Sequence, residues 1–383
     1  MLLKQTARII STYAADVSGV CSALFELGGM TVMHDASGCN STYNTHDEPR
    51  WYDMDSMVYV SGLSEMDAIM GDDEKLISDI VVAALELQPK FIAVDGSPVP
   101  MVIGTDFSAV AALIEARTGI PAFGFPTNGM HSYLAGAGMA LAAIAERFCR
   151  KDEKRTNHLS VNILGATPLD FSVNGSIESL RKLLEENGFE VLSTLAMGSS
   201  LEDIARAGGA HVNLVVSYAG IPAARKLRSL FGTPFVTGIP YGSAFAARVL
   251  DSLRASAESG EDIVACEASS AEKADTAIIG ESVASGSLAA ALREETGESC
   301  RVICPLETEH GILGACDHIA ADEDEIIPLL SPFRSVIADP LYLPIIPNGV
   351  RFIPLPHEAF SGRIYRESVP DLIGKSDFSR FSK

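Results

Sequence analysis

One supersecondary plan occurs three times in this chain with the same polarity. Short apolar runs bounded by Gly or Pro alternate with helical periods: KFIAVDGSP and then DFSAVAALIEARTG, LSVNILGATPLD and then SIESLRKLLEENG, ADTAIIGES and then SLAAALREETG. Runs of that length read as strands buried on both faces, and a helix between successive strands makes the sheet parallel. The expectation is an α/β protein of three doubly wound units. Charged or polar stretches with no apolar period separate them, placing the domains at residues 1–152, 153–250 and 251–383. Three such lobes can enclose a cavity between the carboxyl ends of their strands. Gly188, Gly208 and Gly232 stand where helices should end in left-handed caps. The polar tail over 361–383 is expected to fray or to dock late.

With 383 residues, 47% of them hydrophobic, the chain can bury several cores. Its formal net charge of −21 repels phosphodiesters and anionic lipid, so neither nucleic acid nor a membrane surface is an expected partner. The first residues lack the apolar core and cleavage site of a secretory signal, and no run is long enough to span a bilayer. Seven cysteines scattered without a framework point to a reducing compartment, and the expected location is cytoplasmic. GxGxxG, GxxxxGK[ST] and GxSxG motifs are all missing. A protein of this kind that draws on ATP must have another subunit hydrolyse it.

The stretch CSALFELGGMTVMHDASGC sets Cys21 and Cys39 apart by an amphipathic helix, a Gly-Gly stop and an extended run. Two readings stand: small buried hydrophobes, or thiolates at the ends of buried elements that hold an iron–sulfur cluster. Cys300, Cys304 and Cys316 lie with His310, Asp317 and His318 in CRVICPLETEHGILGACDH, but no CxxC pair occurs. Core packing is preferred there over a zinc or iron site. Cys149 and Cys266 read as structural.

Further pieces follow in a fixed order: HDASGC at 34–39, DMDSMVYVSGLSEMDAIMGDDEKL, MVIGTD at 101–106, VNILGATPLD, HVNLVVSYAG, GTPFVTGIPYG and FIPLPHEAFSG. With Cys21 and its helix, this set resembles the nitrogenase component 1 family, which includes the molybdenum–iron protein chains, protochlorophyllide reductases and nickel-sirohydrochlorin reductive cyclases. The resemblance covers nearly the whole chain. It implies three Rossmann-like domains, each a mainly parallel sheet flanked by helices, around a central cleft. It also implies a reductase component that takes electrons from an ATP-dependent iron protein. A [4Fe–4S] cluster held by Cys21 and Cys39 from each of two protomers would relay them, in a homodimer or a heterodimer with a homologous subunit.

Departures from the family pattern narrow the expectation. Pro98 stands where members with large clusters have a third cysteine, so an eight-iron cluster is not expected. Asp35 is either an oxygen ligand or a turn-capping carboxylate. Ser217 occupies the place of the cofactor cysteine, and His357 falls within one residue of the cofactor histidine. An iron–molybdenum cofactor held in the usual way, and dinitrogen reduction with it, are therefore not expected. The cavity is left for an organic substrate, a further metal or a tetrapyrrole, with Ser217 in its wall. His34, His131 and His357 are the candidate proton donors, and His131 and His357 can equally be structural hydrogen-bonders. A cofactor-assembly scaffold and a cluster-free small-molecule-binding protein are the rival readings.

Overall fold

The apolar runs pair only in parallel, because each return passes through a helix. The computed structural model describes residues 8–10, 15–36, 38, 48–266 and 273–381. The first sheet holds β1 (Met30–His34), β2 (Met57–Val60), β3 (Ile92–Gly96) and β4 (Ala122–Gly124) in the order β2-β1-β3-β4. The second holds β5 (Ser160–Leu164), β6 (Glu190–Leu195), β7 (Val212–Val215), β8 (Phe235–Thr237) and β9 (Ile263–Val264), ordered β6-β5-β7-β8-β9. The third holds β10 (Thr276–Ile279), β11 (Cys300–Cys304), β12 (His318–Ile319), β13 (Ser335–Ala338) and β14 (Arg351–Pro354), ordered β12-β11-β10-β13-β14. In each sheet the chain winds one way, returns past its first strand and winds the other way. That reversal opens a crevice at the carboxyl ends of β1 and β3, of β5 and β7, and of β10 and β13.

One continuous core joins the first two sheets and reaches the third. Its middle is the packing of the Asp16–Leu24 helix on the Tyr133–Phe148 helix, which in turn meets the Ile221–Phe231 helix. Glycine makes the first crossing possible: a Cβ on Gly19 would stand 1.9 Å from the Tyr133 carbonyl oxygen, and one on Gly136 1.8 Å from that of Asp16. The Asp16–Leu24 helix is buried on every side, not amphipathic as expected, because it is wedged between its own sheet and the neighbouring helices.

Several other local expectations change in the folded chain. Gly188 and Gly232 are left-handed, but Gly208 sits in a single 3₁₀ turn, where a Cβ would meet the Phe231 ring at 2.7 Å. The expected division at 250/251 falls inside the Ala244–Ser259 helix, and β9 pairs with β8 in the second sheet. Short helices at Glu65–Met70 and Pro98–Ile103 add to the elements expected from the sequence. The tail docks: Ile373 pairs with Tyr241, and Phe378 and Phe381 are buried. Among the described residues no helix is long and apolar enough to cross a membrane.

Candidate functional site: an acid-lined junction of three sheets

The second and third crevices open toward each other. After β5, Gly165 turns with φ +86° at a point where a Cβ would meet the Gly220 amide at 2.7 Å; the chain then enters the Pro168–Phe171 turn carrying Asp170. After β10 comes Glu281, after β13 Asp339, and after β14 His357. These four side chains line one cavity of about 70 Å³, with Tyr241 and Phe360 also in its wall. From the first unit, Tyr133 stands at the start of its helix and its hydroxyl donates to Asp170 Oδ1 at 2.5 Å. All three units therefore meet at one carboxyl group.

His357 is fixed by its neighbours. Its Nδ1 accepts from the Ala359 amide at 3.3 Å, which puts the proton on Nε2, 3.4 Å from Asp170 Oδ1. That contact is within ion-pair range but lacks hydrogen-bond geometry. Burial alone would lower the imidazole pKa, yet the surrounding Asp170, Asp339 and Glu281 groups outweigh it and the net direction is upward. Rings of Tyr133 and Phe360 pack against it at 6.4 and 5.0 Å.

Glu281 caps the Ser282–Thr296 helix. Its two oxygens accept from the amides of Tyr218, Val283 and Ala284 at 3.0, 3.0 and 2.7 Å. Those donors favour the carboxylate, but burial and then Asp170 act the other way and hold the group at about 7. Asp339 is also raised by burial, against donors from Leu341, His357 and Ser361. The cavity thus combines an acid poised at neutral pH with an imidazole whose proton faces a carboxyl group. That chemistry suits proton donation to a bound molecule.

Sequence reasoning singled out His357 but not Tyr133, Asp170, Glu281 or Asp339. The available signal was an acid directly after a buried strand, as in AIIGE and VIAD, where crevice residues are found. Ser217 closes β7 at the same crevice, but its Oγ accepts from the Ala219 amide and it does not line the cavity. The three histidines line three different spaces. His131 is exposed beside Glu307 (3.9 Å) in an open groove of about 560 Å³, separated from the inner cavity by Phe360. His34, lowered by burial, bonds Ser61 Oγ at 2.8 Å and borders an apolar hollow of about 250 Å³ over the first sheet. That hollow is larger than the inner cavity but lacks its convergence of acids from different units.

The first crevice carries the cysteine. Cys21 is fully buried, and its Sγ donates to Asp95 Oδ2 at 3.7 Å, at the end of β3. Burial pushes both the thiol and the carboxyl well up. Asp95 Oδ1 is buried with no hydrogen-bond partner. Cys21 itself packs in the hydrophobic core and lines none of the cavities described above. Asp35 accepts from Ser97 Oγ at 2.5 Å across the same crevice. Cys39 lies outside the described residues. Among the described residues no three His, Cys, Asp or Glu side chains are grouped to hold a metal ion, which leaves Cys300, Cys304, Cys316, His310, Asp317 and His318 as packing and backbone-bonding groups. Asp317 bonds the amides of Val302 and Gly314, and burial pushes Cys300 and Cys304 up to about 12.

The sequence profile described as nitrogenase component 1 type oxidoreductase matches residues 18–294. The chain belongs to that family. It is 29% identical over 188 residues to the nitrogenase iron-molybdenum cofactor biosynthesis protein NifE of Rhodobacter capsulatus, covering 48% of this chain and 39% of that one. Over 182 residues it is 27% identical to the nitrogenase molybdenum-iron protein alpha chain of Clostridium pasteurianum (47% and 33% covered). Over 190 residues it is 28% identical to a subunit of the light-independent protochlorophyllide reductase of Nostoc punctiforme (47% and 37%). The aligned parts thus span about a third to two-fifths of these relatives. The fold is that of the structure titled nitrogenase Cp1 at pH 5, with TM-score 0.68, 16% identity, and 97% of this chain and 88% of that one covered.

Proposed function

We propose that the chain is the catalytic component of a nitrogenase-like reductase acting on a small substrate other than dinitrogen. The observation that carries this reading is the acid-lined cavity that Asp170, Glu281 and His357 build between the second and third sheets, with Tyr133 of the first unit bonded to Asp170. Cys21, with Cys39, would hold a [4Fe–4S] cluster shared with a second protomer or a homologous subunit. Such a cluster, when bound, supplies electrons one at a time. An ATP-dependent iron protein would be the donor.

The residues of the chain do the rest. His357 Nε2 presents a proton toward the cavity, and Glu281, near its midpoint at neutral pH, gains and loses one readily. Phe360 and Tyr241 keep bulk water out. A space of about 70 Å³ favours a guest of a few heavy atoms over a tetrapyrrole, and with no Lys or Arg in its wall it favours a neutral or cationic guest.

Iron and acid-labile sulfide in oxygen-free protein test this. About two irons per chain, lost in Cys21→Ser and Cys39→Ser, agree with one four-iron cluster between two chains. Colourless protein that takes up no iron on anaerobic reconstitution refutes it. The relationship to a cofactor biosynthesis protein favours a second reading, a scaffold that carries a cofactor under assembly. Electron uptake from an iron protein with no product from any offered substrate supports that reading over turnover.

A further inference from the structure

Part of the inner cavity's wall comes from a stretch outside the sheets and helices. Val369, Pro370 and Leu372 line the cavity together with Asp170 and His357. Both flanks of this stretch are fastened. Upstream, Arg366 donates to Glu358 Oε1 through Nε at 2.9 Å and Nη2 at 2.5 Å, and the Ser172 hydroxyl donates to Glu358 Oε2 at 2.9 Å. Downstream, Phe378 and Phe381 are buried with their rings 5.8 Å apart.

Between those anchors the hold is lighter. Asn174 Nδ2 donates to the Val369 carbonyl at 3.0 Å. Asp371 Oδ2 accepts from the Ser179 hydroxyl at 2.8 Å and from Lys375 Nζ at 2.6 Å, but the lysine is exposed and that ion pair adds little. Two amides complete the attachment: Gly242 donates to the Leu372 carbonyl at 3.1 Å, and Gly374 to that of Pro240 at 3.0 Å. They frame one isolated antiparallel pair, Tyr241 with Ile373, which has no further rungs to stiffen it. Glu281 and Asp339, by contrast, follow directly on strands β10 and β13 and move only with their sheet. A stretch held by a few separate bonds opens at a fraction of the free energy of global unfolding.

We infer that residues 369–375 are a strap over the junction cavity, which lifts between its two anchors to admit the guest and closes behind it. This rests on the reading above that the cavity takes up a small molecule. Gly374, with φ +63°, gives the downstream side its turn. Closed, the strap sets Val369, Pro370 and Leu372 against the acids and completes the exclusion of water. Lifted, it removes the part of the wall that no strand or helix supports.

The probe is diethyl pyrocarbonate, which acylates imidazole nitrogens and is bulkier than the guest that the closed cavity takes. His357 Nε2 is buried, so its labelling in full-length protein, followed by peptide mass spectrometry, reports opening. His34, buried in the first unit, reports general loosening. Tyr241→Cys with Ile373→Cys supplies a lock, since a facing pair of this kind has Cα atoms about 4.5 Å apart, within reach of a disulfide. Oxidised and desalted, this variant is expected to label His357 about tenfold more slowly than the same protein reduced, a comparison that cancels the loss of the tyrosine. Ser179→Ala with Lys375→Ala frees Asp371 without altering the cavity wall. It is expected to label His357 about threefold faster than wild type, with His34 unchanged. Equal His357 rates in the oxidised and reduced lock overturn the inference. So does a wild-type His357 that stays unlabelled until the protein unfolds, or a rise in the loosened variant that His34 shares. If the cysteine pair fails to fold or to close, the loosened variant decides alone, and a wild-type rate there refutes the strap. No readout depends on iron: protein that labels as expected but binds no iron keeps the strap and loses the cluster, and a strap that does not move leaves the cluster reading standing.

Discussion

Glu281→Gln isolates the proton that the junction holds back. In the unfolded chain Glu281 loses its proton near its ordinary value of 4.5, and in the folded chain only near 7. Below 4.5 both states are protonated and the full stability is present. Between the two values the unfolded state ionises first, so stability falls as pH rises, and above 7 the loss is complete. The gap is 7 − 4.5 = 2.5, worth about 3 kcal/mol in all. Of that, about 2–3 kcal/mol should be lost between about pH 5 and about pH 8. Glutamine cannot ionise, so the variant lacks this slope. It also turns an NH₂ toward amides that need acceptors, at a cost of about 1–3 kcal/mol that does not vary with pH. The quantity to read is therefore the difference between the two proteins as a function of pH. Urea unfolding followed by far-ultraviolet circular dichroism at the two pH values gives it. The wild-type protein should lose about 2–3 kcal/mol relative to the variant on going from acid to base. Parallel curves, with the difference constant to about 0.5 kcal/mol, would mean that Glu281 carries no displaced proton. Asp170→Asn removes the largest neighbouring carboxyl effect and should shrink the wild-type slope.

Three further outcomes follow from the same geometry. His357→Gln should flatten a dependence of the same sign: a raised imidazole value adds stability below about 6.5 that fades as pH rises through the folded value, and the same urea series reads it. Tyr133→Phe deletes the hydroxyl donated to Asp170 and should cost about 1–3 kcal/mol, since a buried acceptor loses a short partner. Gly136→Ala forces a methyl against the Asp16 carbonyl oxygen and should part the two central helices, lowering stability by about 1–3 kcal/mol or more; a melting temperature equal to wild type would refute that crossing.

The threefold alternation was legible because each strand is a continuous apolar run, and such runs survive any tertiary arrangement. All three sheets wind as expected, and residues 149–158 lie between the Tyr133–Phe148 helix and β5. What escaped notice was short or tertiary. The six-residue helices Glu65–Met70 and Pro98–Ile103 span under two turns, too few for a period to declare itself. Gly208 looked like a helix stop because it follows a helical period, but its lack of a side chain serves the Phe231 ring. The Asp16–Leu24 helix looked amphipathic because a sequence window cannot see a second layer arriving on its polar side. The tail read as polar, yet its few aromatics, Phe378 and Phe381, are the residues that anchor it.

The junction itself shows why a lone histidine was a poor guide on its own. Asp170, Glu281 and Asp339 each serve a local purpose, as a turn acid or a helix cap, and nothing in their own windows marks them as neighbours. They become one site only because the second and third sheets, with the same winding, point their crevices at each other while a helix from the first unit delivers Tyr133. The two departures from the family pattern fit that arrangement. Pro98 opens the Pro98–Ile103 helix at a position where a missing amide costs nothing, and Ser217 caps the turn whose next amide binds Glu281. Where a soft ligand would be needed, the chain has structural devices; where a cavity forms, it offers oxygens and one imidazole. Such a wall recognises protons, hard cations or polar organic groups in preference to a thiophilic metal. On the proposed reading, the sulfur ligands belong to the first crevice and the proton-donating groups to the junction of the other two.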